Sequence, residues 1–363
     1  MSVILPSEAS GASRPWGPDQ DRLHRHLLRH PSLLPGGARL LLAVSGGQDS
    51  MALTALLRDL SALHGWELSL WHGDHGWRAE SAVQGQALAL GAAGPGRPLH
   101  LERADPVPTS EAAARQWRYG CLRRQAAGLG SRHVLTGHTA SDRAETLLLH
   151  LARGSHRRGL ASMRASRPLA GDCWLVRPLL LFSRQDTERI CRTRALPVWI
   201  DTSNADLRYS RNRLRAEVLP VLEDLHPGAT VRIAATAERL AEDEDQVDEL
   251  VSMALKALSA PPGASVSASD GSGEMGLSLA CRGLLALHPA NQRRILQLWL
   301  RVHKAPTLDN DNLERLIARL RMKRGPGRQD LAHGWHLSWN GCSLTLSRPV
   351  PCPSDHGEFH HRR

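Results

Sequence analysis

Over the first two thirds of the chain, short apolar runs alternate with segments of helical spacing. The run ARLLLAV (38–44) is apolar on both faces and stops at Ser45-Gly46-Gly47. A bounded run of that kind predicts a central strand of a parallel sheet. From Asp49 to Leu60 the apolar positions take helical spacing behind an N-cap type of residue. ELSLWHGDHG (67–76) predicts a second strand entering a polar loop. A helix is predicted over 110–130, opened by a serine and closed on glycine. HVLTGH (133–138) predicts another strand, and 141–154 another capped helix. WLVRPLL (174–180) reads as a strand edge, 183–196 as a helix, and 201–222 as a polar segment. The alternation predicts an α/β domain with a doubly wound, mostly parallel sheet.

The character changes after Pro227. Residues 230–258 carry one long amphipathic helical pattern. Two basic helices follow at 290–305 and 311–325, then a hairpin of the two-residue type around Asn340-Gly341. The expected organisation is a lead-in over 1–37, with a short helix at Arg22–His30, and an α/β domain over 38–225. A smaller, mainly helical C-terminal region with a terminal hairpin follows over 226–347, with a flexible stretch at 259–276, then a disordered tail at 348–363.

Composition narrows the chemistry. The chain has 363 residues, 41% hydrophobic and 23% charged, enough for a sizeable core. No apolar run reaches the roughly 20 residues of a membrane span, and no secretory signal is read at the start. The six cysteines form no CxxC pair, which argues against a zinc ribbon or a CxxC redox couple, and reduced cytosolic thiols are expected. Net charge is +10, and only Lys256, Lys304 and Lys323 among the basic residues are lysines. The N-terminal two thirds therefore cannot hold a GxxxxGK[ST] loop, a kinase lysine or a Schiff-base lysine. An arginine surplus suits phosphate-bearing partners, nucleic acid first.

The chemistry is concentrated in Ser45-Gly46-Gly47-Gln48-Asp49-Ser50, where the first strand meets its helix. A helix N-terminus favours an anion, the glycines let backbone approach phosphate oxygens, and Ser45 and Ser50 add hydroxyls. Asp49 makes sense there with a divalent cation between carboxylate and phosphate. The string matches the SGGxDS signature of the PP-loop, or N-type, ATP pyrophosphatases, which release pyrophosphate while adenylating a carbonyl or carboxyl oxygen. Three further segments resemble motifs of the tRNA(Ile)-lysidine synthetase family. They are His72-Gly73-Asp74-His75-Gly76-Trp77-Arg78, with Trp77 where leucine is usual, and Gly137-His138-Thr139-Ala140-Ser141-Asp142-Arg143-Ala144-Glu145-Thr146, which departs at Thr139, Ser141 and Arg143. The third is Asp201-Thr202-Ser203-Asn204 with Tyr209-Ser210-Arg211-Asn212-Arg213-Leu214-Arg215 and Leu219-Pro220. Glu111, Arg115, Arg118 and Tyr119 fit the family's ExxAR-x-x-RY helix, and Arg177-Pro178-Leu179 and Leu196-Pro197 also agree. The resemblance runs in order from about Arg39 to Pro220, and 289–300 is similar to the family's small C-terminal tRNA-binding region.

The resemblance implies a Rossmann-like PP-loop catalytic domain. The implied enzyme is a ligase that uses ATP and Mg²⁺ to join L-lysine to C2 of the wobble cytidine of tRNA(Ile) with a CAU anticodon. It implies ATP contacts from Ser45, Gly46, Gly47, Gln48, Asp49, Ser50, Asp74, His75 and Gly137, with Asp49 on the metal. Asp142 and Glu145, three apart and on one helical face, are expected to grip the lysine ammonium. His138 and Arg211 would orient ATP or steady the adenylate. Arg78, Arg115, Arg118, Asn212 and Arg215 would meet tRNA. A cytoplasmic protein with no membrane partner is expected, and a homodimer is compatible. The alternatives are a thiolating PP-loop enzyme, disfavoured by the missing CxxC, and a small-molecule amide synthetase without a visible ammonia source. A non-catalytic RNA-binding protein is disfavoured by the intact loop.

Overall fold

The computed structural model describes residues 16–77, 98–199, 206–259, 277–322 and 325–347. Arg78, residues 201–204, most of the 259–276 segment and the 348–363 tail lie outside the described residues. The chain divides into two compact units, residues 1–242 and 243–363.

The first unit is built on a six-stranded sheet. Its strands are β1 (Arg39–Ala43), β2 (Glu67–Asp74), β3 (Leu99–Arg103), β4 (His133–Thr136), β5 (Ser166–Ala170) and β6 (Cys173–Val176), in the order β3-β2-β1-β4-β6-β5. All pairings are parallel except β5 with β6. Around the sheet run α1 (Pro18–Arg29), α2 (Gln48–His64), α3 (Glu111–Gly128), α4 (Ala140–Ala152), α5 (Arg157–Leu160) and α6 (Arg184–Thr193). The continuous apolar run of β1 has a direct cause. Leu40 and Leu42 pack into one core with Leu53, Leu56, Leu57 and Leu60 of α2, while Leu41 packs into another with Trp71, Cys121, Leu122 and Val134. Both faces of the strand are buried, so no polar alternation survives. Within the segment read as a lead-in, α1 buries Leu23 and Leu27 in the first of these cores.

Strands β3 and β5 were not anticipated from the sequence. Both lie at the ends of the sheet. Leu101 of β3 is exposed, and β5 contains Pro168, which an edge strand tolerates and a central one does not. Neither sequence shows the buried run that marked β1. The polar 206–225 stretch is helical as α7 (Ser210–Arg213), a π turn at Leu214–Val218, and α8 (Leu219–Leu225) with Pro220 in its first turn. The long helical pattern is one helix, α9 (Ala229–Ser259).

The second unit holds α10 (Cys281–Ala286), α11 (Pro289–Val302) and α12 (Asn310–Arg321). With them is an antiparallel sheet of β7 (Leu277–Ala280), β8 (Gly327–Asp330), β9 (His336–Trp339) and β10 (Ser343–Ser347), in the order β7-β10-β9-β8. Ile295, Leu296 and Trp299 of α11, Leu313 and Leu316 of α12, and Leu337, Leu344 and Leu346 share its core. The hairpin forms where expected, but its loop is shifted by one residue. Asn340 N donates to Ser343 O at 3.2 Å, so Gly341 and Cys342 are the central pair. Gly341 has φ +85°, the left-handed conformation that a first central glycine supplies. The Asn340 side chain instead accepts from the backbone N–H of Cys342 and Ser343 at 3.1 and 2.9 Å.

Candidate active site at the ends of the parallel strands

The order of the sheet decides where a ligand can enter. From β1 the chain moves outward through β2 to β3, then returns across β1 to β4. The loops leaving β1 and β4 therefore part in opposite directions from adjacent strand ends. An open α/β sheet binds ligands at such a crevice. The two strongest motifs of the sequence, Ser45–Ser50 and Gly137–Thr146, are these two loops.

The first loop is held tight. Gly46 has φ +86°, which a side chain would strain, and its carbonyl accepts from Trp199 N at 3.0 Å. Ser50 Oγ donates to Gly47 O at 2.9 Å and accepts from Ser45 N at 3.2 Å. Gly47 is the N-cap of α2 and offers no side-chain cap, whereas α3, α4 and α6 are capped by Ser110, Thr139 and Ser183. The first N–H groups of α2 thus lack a capping side chain, beside a glycine turn and the exposed Ser45. These features suit a polyphosphate. Gly137 brings the second loop against the first. A Cβ at this residue would lie 2.9 Å from Asp49 C and Ser50 N, so only glycine permits the approach.

Two loop side chains behave differently from each other. Gln48 turns away and donates to Arg184 O and Thr187 Oγ1 at 2.9 and 3.1 Å, which ties the loop to α6. Asp49 accepts from Thr187 Oγ1 at 2.5 Å and from Arg184 at 3.3 Å. Burial raises the pKa of Asp49; the Thr187 hydrogen bond opposes this, Asp142 adds to it, and Arg184 and Arg215 oppose it. A cation brought to this carboxylate would offset that burial cost.

Thr139 and Asp142 form a capping box at the start of α4. Thr139 N and Oγ1 both donate to Asp142 Oδ2, at 2.8 and 2.9 Å. Asp142 Oδ1 lies 3.6 Å from the Arg215 guanidinium. Glu145 is fully buried, and Arg215 grips it in a two-pronged fork at 2.7 and 3.1 Å. Burial raises the Glu145 pKa while the Arg215 hydrogen bonds pull it back. The two carboxylates share a face as their spacing requires, but they are not equivalent. Both oxygens of Glu145 accept from Arg215, whereas Asp142 Oδ1 lies outside the capping box. Arg211 is exposed and reaches Thr146 Oγ1 at 3.4 Å, while Asn212 donates to Asp206 O at 2.9 Å.

His138 Nδ1 lies 2.8 Å from Thr136 Oγ1. Burial lowers its pKa to about 4; Asp142 opposes this, and Arg177, Arg115 and Arg118 reinforce it. The imidazole is therefore neutral at pH 7 and available as a hydrogen-bonding group rather than as a strong base. A depressed histidine stabilises the fold fully above its ordinary value of 6.5, and that stability falls as pH drops toward 4. We expect His138→Asn, which keeps a polar atom toward Thr136, to remove up to about 3 kcal/mol of acid sensitivity across that window. Urea unfolding of both proteins at several pH values measures it, and parallel curves would refute the assignment.

At the end of β2, His72 Nδ1 donates to Val44 O at 2.8 Å, and Asp74 Oδ1 accepts from Gly76 N at 2.8 Å. Asp74 Oδ2 makes no hydrogen bond and lies 3.6 Å from Arg103. The His75 ring packs against Trp117 and Trp77, with centroids 5.1 and 5.3 Å apart, and its pKa is lowered by burial first and by Arg118 next. Arg115 is exposed and Arg118 half-buried on α3. Sequence reasoning missed Thr187 and Arg184, which hold Asp49 from α6. The Ser183–Asp186 capping box that starts α6 is the available signal, because it fixes the helix that carries both residues.

Comparison with known proteins agrees with this geometry. Residues 20–222 match the family model described as a PP-loop domain, and residues 279–344 match the TilS substrate binding domain. A tRNA(Ile)-lysidine synthase of Parasynechococcus marenigrum is 46% identical, covering 94% of this chain and 99% of that protein. The protein of the same name from Gloeobacter violaceus is 40% identical, covering 92% and 99%. In fold, the chain is similar to the U34-tRNA thiolase NcsA from Methanococcus maripaludis, with TM-score 0.52, 17% identity, and coverage of 62% of this chain and 78% of that one. The PP-loop family match covers more than half of the chain, relatives at 40–46% identity match it over nearly its whole length, and the chain belongs to the tRNA(Ile)-lysidine synthase family.

Proposed function

We propose that this chain uses ATP to join L-lysine to C2 of the wobble cytidine of tRNA(Ile) bearing a CAU anticodon, through an adenylated tRNA intermediate. AMP and pyrophosphate are released. The observation that carries this reading is the juxtaposition of the SGGQDS loop and the Gly137–Glu145 segment at one switch point, in a chain of this family. The C2 oxygen of cytidine leaves poorly. Its adenylation releases pyrophosphate and makes it part of a good leaving group. The lysine ε-nitrogen then bonds to C2, the C2–O bond breaks, AMP carries the oxygen away, and the amine gives up a proton. That proton passes to solvent, since His138, lowered to about 4, is too weak a base to hold it at neutral pH; neutral His138 instead orients ATP or steadies the adenylate as a hydrogen-bonding group.

Ser45, Gly46, Gly47 and the first turn of α2 receive the ATP phosphates. Asp49 would hold Mg²⁺, which supplies charge neutralisation at the phosphates; one or two carboxylates completed by phosphate and water is its usual shell. Among the described residues no group of three or more His, Cys, Asp or Glu side chains could hold a metal ion. Asp142, with Oδ1 outside the capping box, is placed to attract the lysine ammonium, and Glu145 positions Arg215. Asp74 and His75, at the neighbouring strand end, border the nucleotide. Arg115, Arg118, Asn212 and Arg211 are assigned to tRNA or to the adenylate, and Arg78 to tRNA. Residues 38–225 form the catalytic part and 226–347 the tRNA-binding part. No helix among the described residues is long and apolar enough to cross a membrane. A cytoplasmic location accords with a tRNA substrate. ATP–pyrophosphate exchange tests the order of steps. It should require tRNA but not lysine, and exchange that needs lysine would overturn the order.

A further inference from the structure

Tyr119 of α3 lies between two guanidinium groups, Arg115 at 5.0 Å and Arg167 of β5 at 5.2 Å from its ring centroid. Beside them is Arg177, only 5% exposed. One of its terminal nitrogens donates to Arg164 O at 2.7 Å, but its Nε is buried and makes no hydrogen bond. The Nε of Arg118 is buried and unpartnered in the same way. Burial lowers Arg177 to about 10; Tyr119 opposes this, and Arg167 and Arg115 add to it. Arg115, Arg118 and Arg177 all act electrostatically on His138. Among the described residues, none of Arg115, Arg118, Arg167 and Arg177 forms an ion pair with a carboxylate. Glu111 influences Arg118, and Asp142 influences His138, only at longer range.

Such a cluster works against folding. Like charges repel, and a buried charged donor without an acceptor costs more than the roughly 1–3 kcal/mol of a neutral one. A tetrahedral anion with several acceptor oxygens would relieve both costs, and guanidinium forks fit phosphate oxygens. The aromatic face holds two of the forks in fixed planes. We propose that Arg118, Arg167 and Arg177, arranged around Tyr119, form a subsite for a phosphate group outside the PP-loop. The phosphate is either a backbone phosphate of tRNA or a phosphate of ATP. The choice of these two sources rests on the function proposed above; the subsite itself does not.

The test uses the full-length protein and two variants, Arg167→Gln and Arg118→Gln. Binding of a tRNA(Ile) transcript is followed by fluorescence anisotropy at several salt concentrations, and ATP affinity is measured separately. If the phosphate belongs to RNA, each variant lowers the salt slope of log K by about 0.7–0.9 and leaves ATP affinity unchanged. If it belongs to ATP, affinity for ATP falls several-fold and the RNA slope holds. No change in either quantity overturns the subsite. Arg167→Lys keeps the charge and should restore the slope. Circular dichroism checks folding, and if Arg118→Gln does not fold, Arg167→Gln on the edge strand decides alone. These slopes are read without turnover, so they stand whether or not lysine is transferred.

Discussion

Asp49→Asn should lower turnover by about 10²–10³-fold, the scale on which loss of one preorganised electrostatic partner is felt, while tRNA affinity stays within about twofold of the wild type, well short of the tenfold that about 1.4 kcal/mol would give. The reasoning rests on charge rather than shape. Asparagine fills the same volume and can still accept the Thr187 hydroxyl, which now bonds Asp49 Oδ1. It cannot carry the negative charge that a cation and a polyphosphate require beside the N-terminus of α2. The RNA contacts assigned above come from arginines, which the substitution leaves in place. Single-turnover release of AMP, with tRNA binding measured at the same salt concentration, separates the two effects. Near-normal AMP release would remove Asp49 from the chemistry, and a parallel loss of tRNA binding would show that the loop had collapsed.

Glu145→Gln should be the most destabilising of the conservative site substitutions. Glu145 is fully buried and Arg215 is three-quarters buried, and breaking such a pair from one side costs about 3–5 kcal/mol because a charge is left without its partner. Arg215 also faces Asp142 Oδ1, so its release should disturb the carboxylate assigned to the lysine ammonium. We therefore expect a lower urea midpoint and a raised KM for lysine in the same variant. The double variant Glu145→Gln/Arg215→Met should recover much of the stability without recovering the KM, since it removes both buried charges but not the disturbance at Asp142. Equal stability of Glu145→Gln and wild type would mean that the fork does not stabilise the fold. A normal lysine KM in a destabilised variant would separate Glu145 from substrate binding.

The sequence pointed to much of this arrangement because two of its signals are local. A strand buried on both faces must be apolar at every position, as 38–44 is, and a turn that approaches phosphate must be made of glycines, as Gly46 and Gly47 are. The neighbouring strand β2 and the capped helices α3 and α4 were legible for the same reason. Edge strands β3 and β5 were not, since half-exposed positions such as Leu101 and a proline such as Pro168 weaken the pattern. Long-range pairings were also hidden. Nothing near Glu145 in the sequence names Arg215, 70 residues later, as its partner, nor Thr187 as the partner of Asp49 across 138 residues. The spacing of Asp142 and Glu145 correctly placed them on one face but could not tell which of them was already satisfied. Gln48 shows the converse. It lies inside the most informative motif, yet its side chain serves the packing of α6.

The central claim is that lysine is transferred to one nucleotide of one tRNA at the expense of ATP. The direct measurement is to incubate the protein with ATP, labelled L-lysine and bulk tRNA, and then to resolve the labelled species. The account predicts label in a single isoleucine acceptor with a CAU anticodon, at one lysine per tRNA with one AMP released, and none when ATP is omitted. Label spread over many tRNAs, or ATP consumed with no lysine entering RNA, would contradict it.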